Sequence, residues 1–288
     1  MRRLWPAILL LFSFWTYGWL AAAPAQAPKG AAATASQGLS PGFPAYRRAN
    51  QLLVAKKLTE AEQAVDEALR LDPKLVPALT LKAKLAMAEN RYDVARKSLE
   101  QALEIDPASP YAQFLYGFEA YLTNELQLAL PRLEKARQLN PSDPRAALYL
   151  GLTFESLGRT AEALACYEDA VRLERLRGPV EPESLLTGAR LLLLLGRLPD
   201  SERWIRQAIE AAPGSRDAHF ELARLLMTKG DARHAAGEGE TALRLSGGDI
   251  TDVQIQYLLI RAWQQAGDPH KAEAHAATLR ALETPVRP

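Results

Sequence analysis

Apolar residues in this chain recur in short helical stripes that are separated by single turn residues. The stretch from Val76 to Ser109 contains two such stripes, whose members are three or four residues apart: Leu79, Ala83 and Ala86 in the first, and Ala95, Leu99 and Ala102 in the second. This spacing places each set on one face of an α-helix. Asn90 lies where the first helix must end, and Pro107 closes the stretch. The pattern therefore predicts a helix-turn-helix unit.

The same landmarks recur every 34 residues along most of the chain. Prolines mark the ends of units at Pro73, Pro107 and Pro141, and small residues recur in the second helices at Ala61, Ala95, Ala129 and Ala163. Residues 178–181 and 250–252 are insertions between units. The register then predicts seven units, which are 42–75, 76–109, 110–143, 144–177, 182–215, 216–249 and 253–286.

A period of this length, with small residues at fixed positions and a closing proline, resembles the tetratricopeptide repeat. Gly117 and Gly151 occupy the small eighth position at which the two helices of a unit approach closely. The resemblance implies an all-α fold, a right-handed superhelical solenoid of about seven repeats in which neighbours bury a shared core. Gly239 departs from the family pattern because it replaces a large residue, so we expect the second helix of the sixth unit to pack most loosely.

Turn residues support the same seven units independently of the prolines. They are residues that mostly tolerate the left-handed conformation found at helix ends, and they are Lys56, Asn90, Asn124, Gly158, Gly196, Gly230 and Gly267. At one helix start, Thr59 and Glu62 have the spacing of a capping box, which predicts a side-chain cap there.

The first 27 residues have the pattern of a secretory signal peptide. Arg2 and Arg3 form a positive start, residues 4–20 are apolar, and residues 21–27 are rich in small residues. The alternative is an uncleaved anchor, since the apolar run is only slightly shorter than the roughly 20 residues that span a membrane. Residues 28–41 are rich in Ala, Pro and Gly, which predicts a disordered linker. We therefore expect an exported protein, either periplasmic or extracellular, or held at the inner membrane by residues 4–20.

Composition and motifs argue against catalysis and against most ligand classes. The 35 basic and 34 acidic residues nearly balance, so nothing indicates a nucleic-acid partner. The four histidines have no metal-ligand spacing, and the chain has no phosphate-binding glycine loop and no nucleophile elbow. Cys166 is the single cysteine, and we interpret it as an inert, half-buried thiol. The sequence thus predicts no enzyme, no metal and no cofactor.

The tetratricopeptide resemblance implies that a binding groove is lined by positions two, five, nine, twelve and thirteen of each first helix. In the third unit, four aromatic residues occupy such positions and form one stripe, Tyr111, Phe114, Phe118 and Tyr121. They either line the groove or fill space between units. In the first unit, Asn50 matches a residue that the family uses to hold a peptide carboxylate, but Tyr46 stands where that family has lysine. We therefore do not carry that specificity over to this chain.

Position nine of the last three units is occupied by Arg190, Arg224 and Arg261. Since packed helices lie roughly 8–10 Å apart, these residues are expected to form a positive row roughly 20 Å long. The alternative is that nearby carboxylates, namely Glu183, Asp217 and Glu221, neutralise the row.

The resemblance and these groove residues together predict an exported interaction scaffold. Its partner would be a peptide or a segment of another protein, bound in the concave groove. The alternative is a structural subunit of an envelope assembly, such as outer-membrane biogenesis, pilus or exopolysaccharide machinery, that uses its convex face.

Overall fold

A computed structural model describes residues 40–283 of the chain. The predicted signal peptide and nearly all of the predicted linker lie outside the described residues, as do residues 284–286 of the last predicted unit. The described part contains fourteen helices and no strand. The helices are α1 (Phe43–Val54), α2 (Leu58–Leu71), α3 (Val76–Ala88), α4 (Tyr92–Ile105), α5 (Pro110–Leu122), α6 (Leu126–Leu139), α7 (Pro144–Ser156), α8 (Thr160–Arg177), α9 (Pro182–Leu194), α10 (Leu198–Ala211), α11 (Arg216–Thr228), α12 (Ala232–Arg244), α13 (Asp252–Gln265) and α14 (Pro269–Glu283).

An odd-numbered first helix packs against the even-numbered second helix that follows it in α1/α2, α3/α4, α5/α6, α9/α10, α11/α12 and α13/α14. First helices of neighbouring pairs also touch, as α3 and α5 do, and as α11 and α13 do. Within α1 to α7 and within α9 to α14, each helix thus buries its apolar stripe against its neighbours in sequence. The predicted all-α solenoid of about seven helix pairs is confirmed.

The described residues form two compact units, the first with residues 40–166 and the second with residues 167–283. Helices α1 to α7 belong to the first unit and α9 to α14 to the second, and α8 begins in the first and ends in the second.

Every predicted turn residue has the left-handed backbone conformation. The φ angles are 59° at Lys56, 59° at Asn90, 61° at Asn124, 75° at Gly158, 73° at Gly196, 81° at Gly230 and 78° at Gly267. The prediction from turn residues is therefore confirmed. The predicted cap at Thr59 is wrong, because α2 begins one residue earlier and has no side-chain cap. Glu62 accepts a hydrogen bond from Nη2 of Arg91 in the next repeat instead, at 2.6 Å.

Small residues are required where the helices of a pair approach most closely. A Cβ atom on Gly117 would lie 2.6 Å from Cγ of Leu133, so α5 and α6 leave no room for a side chain. The expectation of loose packing around Gly239 is not met by the local contacts. A Cβ there would lie 2.9 Å from Cδ2 of Leu259 and 3.2 Å from Cδ2 of Leu258. Two leucines of α13 therefore fill the space that the missing side chain of α12 leaves.

Buried or half-buried carboxylates hold the two insertions in place. Oε1 of Glu174 accepts a hydrogen bond from Ser184 at 2.7 Å, and Oε2 accepts one from the backbone N–H of Glu181 at 3.2 Å. Asp217 at the start of α11 accepts hydrogen bonds from the backbone N–H groups of Asp249 and Ile250 at 3.0 and 3.1 Å. These bonds satisfy backbone N–H groups of the loops that take no part in the hydrogen bonding within the helices.

Candidate functional site

A groove of about 560 Å³ runs over the first helices of the second unit. The helices α9, α11 and α13 contact one another in series and supply its walls. The residues that line this C-terminal groove are Leu193, Leu194, Phe220, Arg224, Met227, Thr228, Gln254, Tyr257, Leu258, Arg261 and Gln265. Most of them are apolar, and several are exposed to solvent. Among them Leu194 is 73% exposed and Tyr257 is 52% exposed.

The lining follows the repeat register. Leu193 and Leu194 occupy positions twelve and thirteen of the fifth unit, and Phe220 and Tyr257 occupy position five of the next two units. Of these lining residues, only Arg224 and Arg261 at position nine were predicted from the sequence. The apolar lining was missed, although the same register contains the signal that finds it, because leucine and methionine near a helix end look like core residues in a sequence.

The three predicted groove arginines do not form one free positive row. Nε of Arg190 donates to Oε1 of Glu221 at 2.8 Å, and Nη1 of Arg190 lies 3.4 Å from Oε1 of Glu183. Arg224 donates from Nη1 to Oε2 of the same Glu221 at 2.7 Å. Glu221 is only 2% exposed, so it holds both guanidinium groups from within the protein. Burial raises the pKa of Glu183, while the charge of Arg190 opposes that rise.

Arg261 differs from the other two arginines. Its side chain is exposed on α13, and within residues 40–283 it has no ion-pair or hydrogen-bond partner. The predicted neutralisation by neighbouring carboxylates thus applies to Arg190 and Arg224, whereas Arg261 keeps its charge facing the groove.

The predicted aromatic stripe of the third repeat lies in the first unit. Phe114 and Phe118 are 1% and 8% exposed, and their rings lie parallel with centroids 6.1 Å apart. Tyr149 of α7 packs edge-on against both, with centroids 5.8 Å from Phe114 and 4.6 Å from Phe118. Tyr121 also meets Tyr149, at 5.9 Å, and stays half-buried. The two phenylalanines therefore pack between repeats, and only the outer tyrosines of the stripe reach the surface.

One cationic side chain that was not predicted from the sequence lies at the other end of this stripe. Arg145 lies over the rings of Tyr111 and Phe114, with its Cζ 5.4 and 5.1 Å from their centroids. Its Nη2 donates to Oδ2 of Asp143 at 2.6 Å. Burial raises the pKa of Tyr111 to about 12. Burial, together with the positive charge of Arg145, lowers the pKa of Lys84 to about 8.

The predicted groove residues of the first repeat are half-buried on α1. The side-chain amide of Asn50 donates to the backbone carbonyl of Tyr46 at 3.4 Å. Within the described chain, neither residue forms a hydrogen bond to the aromatic stripe.

No group of three or more His, Cys, Asp or Glu side chains in residues 40–283 is placed to hold a metal ion. Cys166 is buried, and Nη1 of Arg137 donates to its sulfur at 3.7 Å. None of the helices between residues 40 and 283 is both long enough and apolar enough to cross a membrane.

Two family models match this chain, and both describe the tetratricopeptide repeat. One matches residues 119–178 and 186–250, and the other matches residues 52–118, so together they cover well over half of the chain. The chain belongs to the tetratricopeptide repeat family. Members of this family generally serve as non-catalytic scaffolds that bind proteins or peptides. The comparison with curated proteins gives no match.

Solved structures share the fold of this tetratricopeptide protein at low sequence identity. PilF of Pseudomonas aeruginosa is 21% identical with a TM-score of 0.64, over 73% of this chain and 93% of its own. A chain of the APC/C hetero-tetramer Cut9–Hcn1 is 16% identical with a TM-score of 0.67, over 80% of this chain and 44% of its own. A tetratricopeptide protein from Parabacteroides merdae is 17% identical with a TM-score of 0.60, over 85% and 94% of the two chains. At these identities the likeness shows the fold alone.

Proposed function

We propose that this protein is an exported interaction scaffold that binds a segment of another protein in the C-terminal groove. The observation that carries this proposal is a groove over three contiguous first helices whose lining includes two largely exposed apolar side chains, Leu194 on α9 and Tyr257 on α13. Leu194 and Tyr257 would each lose unfavourable contact with water if a partner covered them.

Export rests on the leader pattern of residues 1–27. The mature chain would then work in the periplasm or outside the cell, and an uncleaved leader would hold the same scaffold at the inner membrane. Both arrangements place the groove on the same side of the membrane, so the proposed binding function does not depend on which one holds.

Site-specific photo-crosslinking in the producing cell tests the binding function. A photoreactive amino acid at Thr228 or Gln265, on the groove lining, is expected to give adducts with another polypeptide. The matched control position is Arg203 on α10, a second helix, where the side chain is 61% exposed. Adducts only from Arg203 would favour the structural subunit of an envelope assembly. No adduct from either groove position would refute the proposed groove.

A further inference from the structure

The lining of the C-terminal groove contains two arginines and no acidic residue. Arg224 is already partly neutralised, because one of its nitrogens is bonded to the buried carboxylate of Glu221. Arg261 forms no ion pair with any described residue; one carboxylate at the edge of the lining, that of Glu283, accepts a hydrogen bond from the Tyr257 hydroxyl at 3.0 Å. The groove therefore presents one uncompensated positive charge next to apolar surface, and a partner that covered it without a negative charge would desolvate that charge at a cost.

The apolar part of the groove lies to one side of this charge. Leu194 stands on α9 and Met227 on α11, whereas Arg261 stands on α13. The side chain of Leu194 is largely exposed and that of Met227 is half-buried, so the two leave an uncovered apolar surface. The flexible methionine side chain adapts readily to a large apolar side chain of a bound partner.

Helix spacing sets the length of a segment that would reach both features. Neighbouring packed helices lie roughly 8–10 Å apart, so α9 and α13 are separated by roughly 20 Å. An extended chain advances about 3.3 Å per residue, and the flexible arginine side chain shortens the distance to be covered. A partner residue that lies between Leu194 and Met227 would thus be separated, along the partner chain, by roughly three to five residues from the partner residue that faces Arg261.

From this arrangement we infer that the groove recognises an extended protein segment that carries an aspartate or glutamate three to five residues from a large apolar side chain. The carboxylate pairs with Arg261, and the apolar side chain covers Leu194 and Met227. This inference rests on the proposed groove function and specifies its partner chemistry. A nucleic acid fits less well, because its repeated phosphates require several free cations and this lining supplies one.

Selection from a displayed library of random heptapeptides against the purified full chain tests the inference. Enriched peptides are expected to share an acidic residue three to five positions from Leu, Ile, Met or Phe. Selection against Arg261→Glu is expected to replace the acidic preference by Lys or Arg, because reversing the charge of the groove reverses its complement. Arg261 is exposed and unpaired within the described chain, so this variant is expected to fold normally, which thermal melting checks.

Binding of one enriched peptide, measured by fluorescence anisotropy, supplies the quantitative comparison. Arg261→Glu is expected to weaken binding at least about tenfold, and raising salt from 0.1 to 1 M is expected to weaken wild-type binding as well. Arg233→Glu is the matched control, because Arg233 is also exposed without an ion pair in the described chain but lies on the second helix α12. It is expected to leave the dissociation constant within about twofold of wild type.

The inference is overturned if no peptide is enriched, if enriched peptides lack a shared acidic residue, or if Arg261→Glu leaves the preference unchanged. It is also overturned if the groove cross-links only to a second copy of this chain. Cross-links from Thr228 to another protein, combined with a selection that shows no acidic preference, would leave the proposed function standing and remove only the partner chemistry.

Discussion

Arg190 and Glu221 form an ion pair between two neighbouring repeats, with Nε of the arginine 2.8 Å from Oε1 of the carboxylate. The other oxygen of Glu221 accepts from Arg224, so one buried carboxylate connects α9 to α11 and is shared by two cations, of which Arg190 also lies 3.4 Å from Glu183. This relationship decides the charge of the groove, because it leaves Arg261 as the arginine of the predicted row that is not compensated by a described residue.

Removal of the shared carboxylate is expected to destabilise the second unit. Glu221→Gln keeps the shape of the side chain but leaves Arg190 and Arg224 without their common counter-charge. Both arginines are partly exposed, 31% and 39%, so water can replace part of the lost interaction, and the free energy of unfolding is expected to fall by about 2 kcal/mol. Urea denaturation measures this change. Glu202→Gln is the control, because Glu202 pairs with exposed Arg206 and Lys229, and its loss is expected to be below about 1 kcal/mol. Equal losses in the two variants would contradict this account of Glu221.

Two helical glycines of the second unit are expected to respond oppositely to alanine. A Cβ on Gly188 would lie 2.1 Å from Cζ3 of Trp204, so Gly188→Ala must displace the indole ring and is expected to cost about 1–3 kcal/mol. No atom lies within 4 Å of a Cβ built on Gly237, so Gly237→Ala is expected to stabilise the protein by about 1 kcal/mol through helix propensity. Thermal melting of both variants checks the pair. A melting point raised by Gly188→Ala would show that α9 and α10 do not pack as closely as described.

Lys84 is expected to titrate about pH 8 rather than near its usual 10.5. The pH dependence of its side-chain NMR signals measures this, with Lys82, which pairs with Asp66, as the internal comparison. Arg145→Gln is expected to raise the pKa of Lys84, but by less than the full shift, because burial is the larger cause. A Lys84 midpoint that stays the same in Arg145→Gln would exclude the arginine as a cause.

The same shift affects stability with a definite sign. The folded-state pKa of Lys84 lies below that of the unfolded chain, so the folded protein loses the proton first. The cost of burying charged Lys84 is fully present below about pH 8. The free energy of unfolding is therefore expected to rise as the pH rises from about 8 to 10.5. Lys84→Met is expected to remove this rise, which unfolding curves across that pH range measure.

Replacement of Phe118 is expected to act on folding rather than on a ligand. Phe118→Ala removes a ring that is 8% exposed and packs 4.6 Å from Tyr149, so a loss of about 3–5 kcal/mol is expected. Tyr121→Ala, at the half-buried end of the same stripe, is expected to cost less. Denaturant unfolding compares them. Unchanged stability in Phe118→Ala would restore the interpretation of this residue as a groove anchor.

The leader prediction is tested by the intact mass of the protein recovered from the producing cell. If the signal peptide is cleaved near residues 25–27, the mass is expected to lack at least Met1 to Ala22. A mature species that retains Trp5 and Trp15 would contradict cleavage and favour an anchored protein.

The sequence by itself determined the helix pairs and their number. Proline and residues that tolerate the left-handed conformation bias the backbone within a few residues of themselves, so Asn90 and Gly230 indicate helix ends without any distant contact. The 34-residue period then implied stacking, because a single amphipathic pair cannot bury its own stripe. The register also indicated which positions face the groove, and Arg224 and Arg261 do line it.

Only the tertiary structure decided which of those positions remain available to a partner. The repeat register predicts which way a side chain points, but it does not predict which residues of the next repeat will contact that side chain. Tyr149, from the following repeat, covers Phe114 and Phe118, and Glu221, 31 residues after Arg190, takes up its charge. These contacts join residues far apart in sequence, and their outcome depends on packing distances of a few ångströms that the local pattern does not contain.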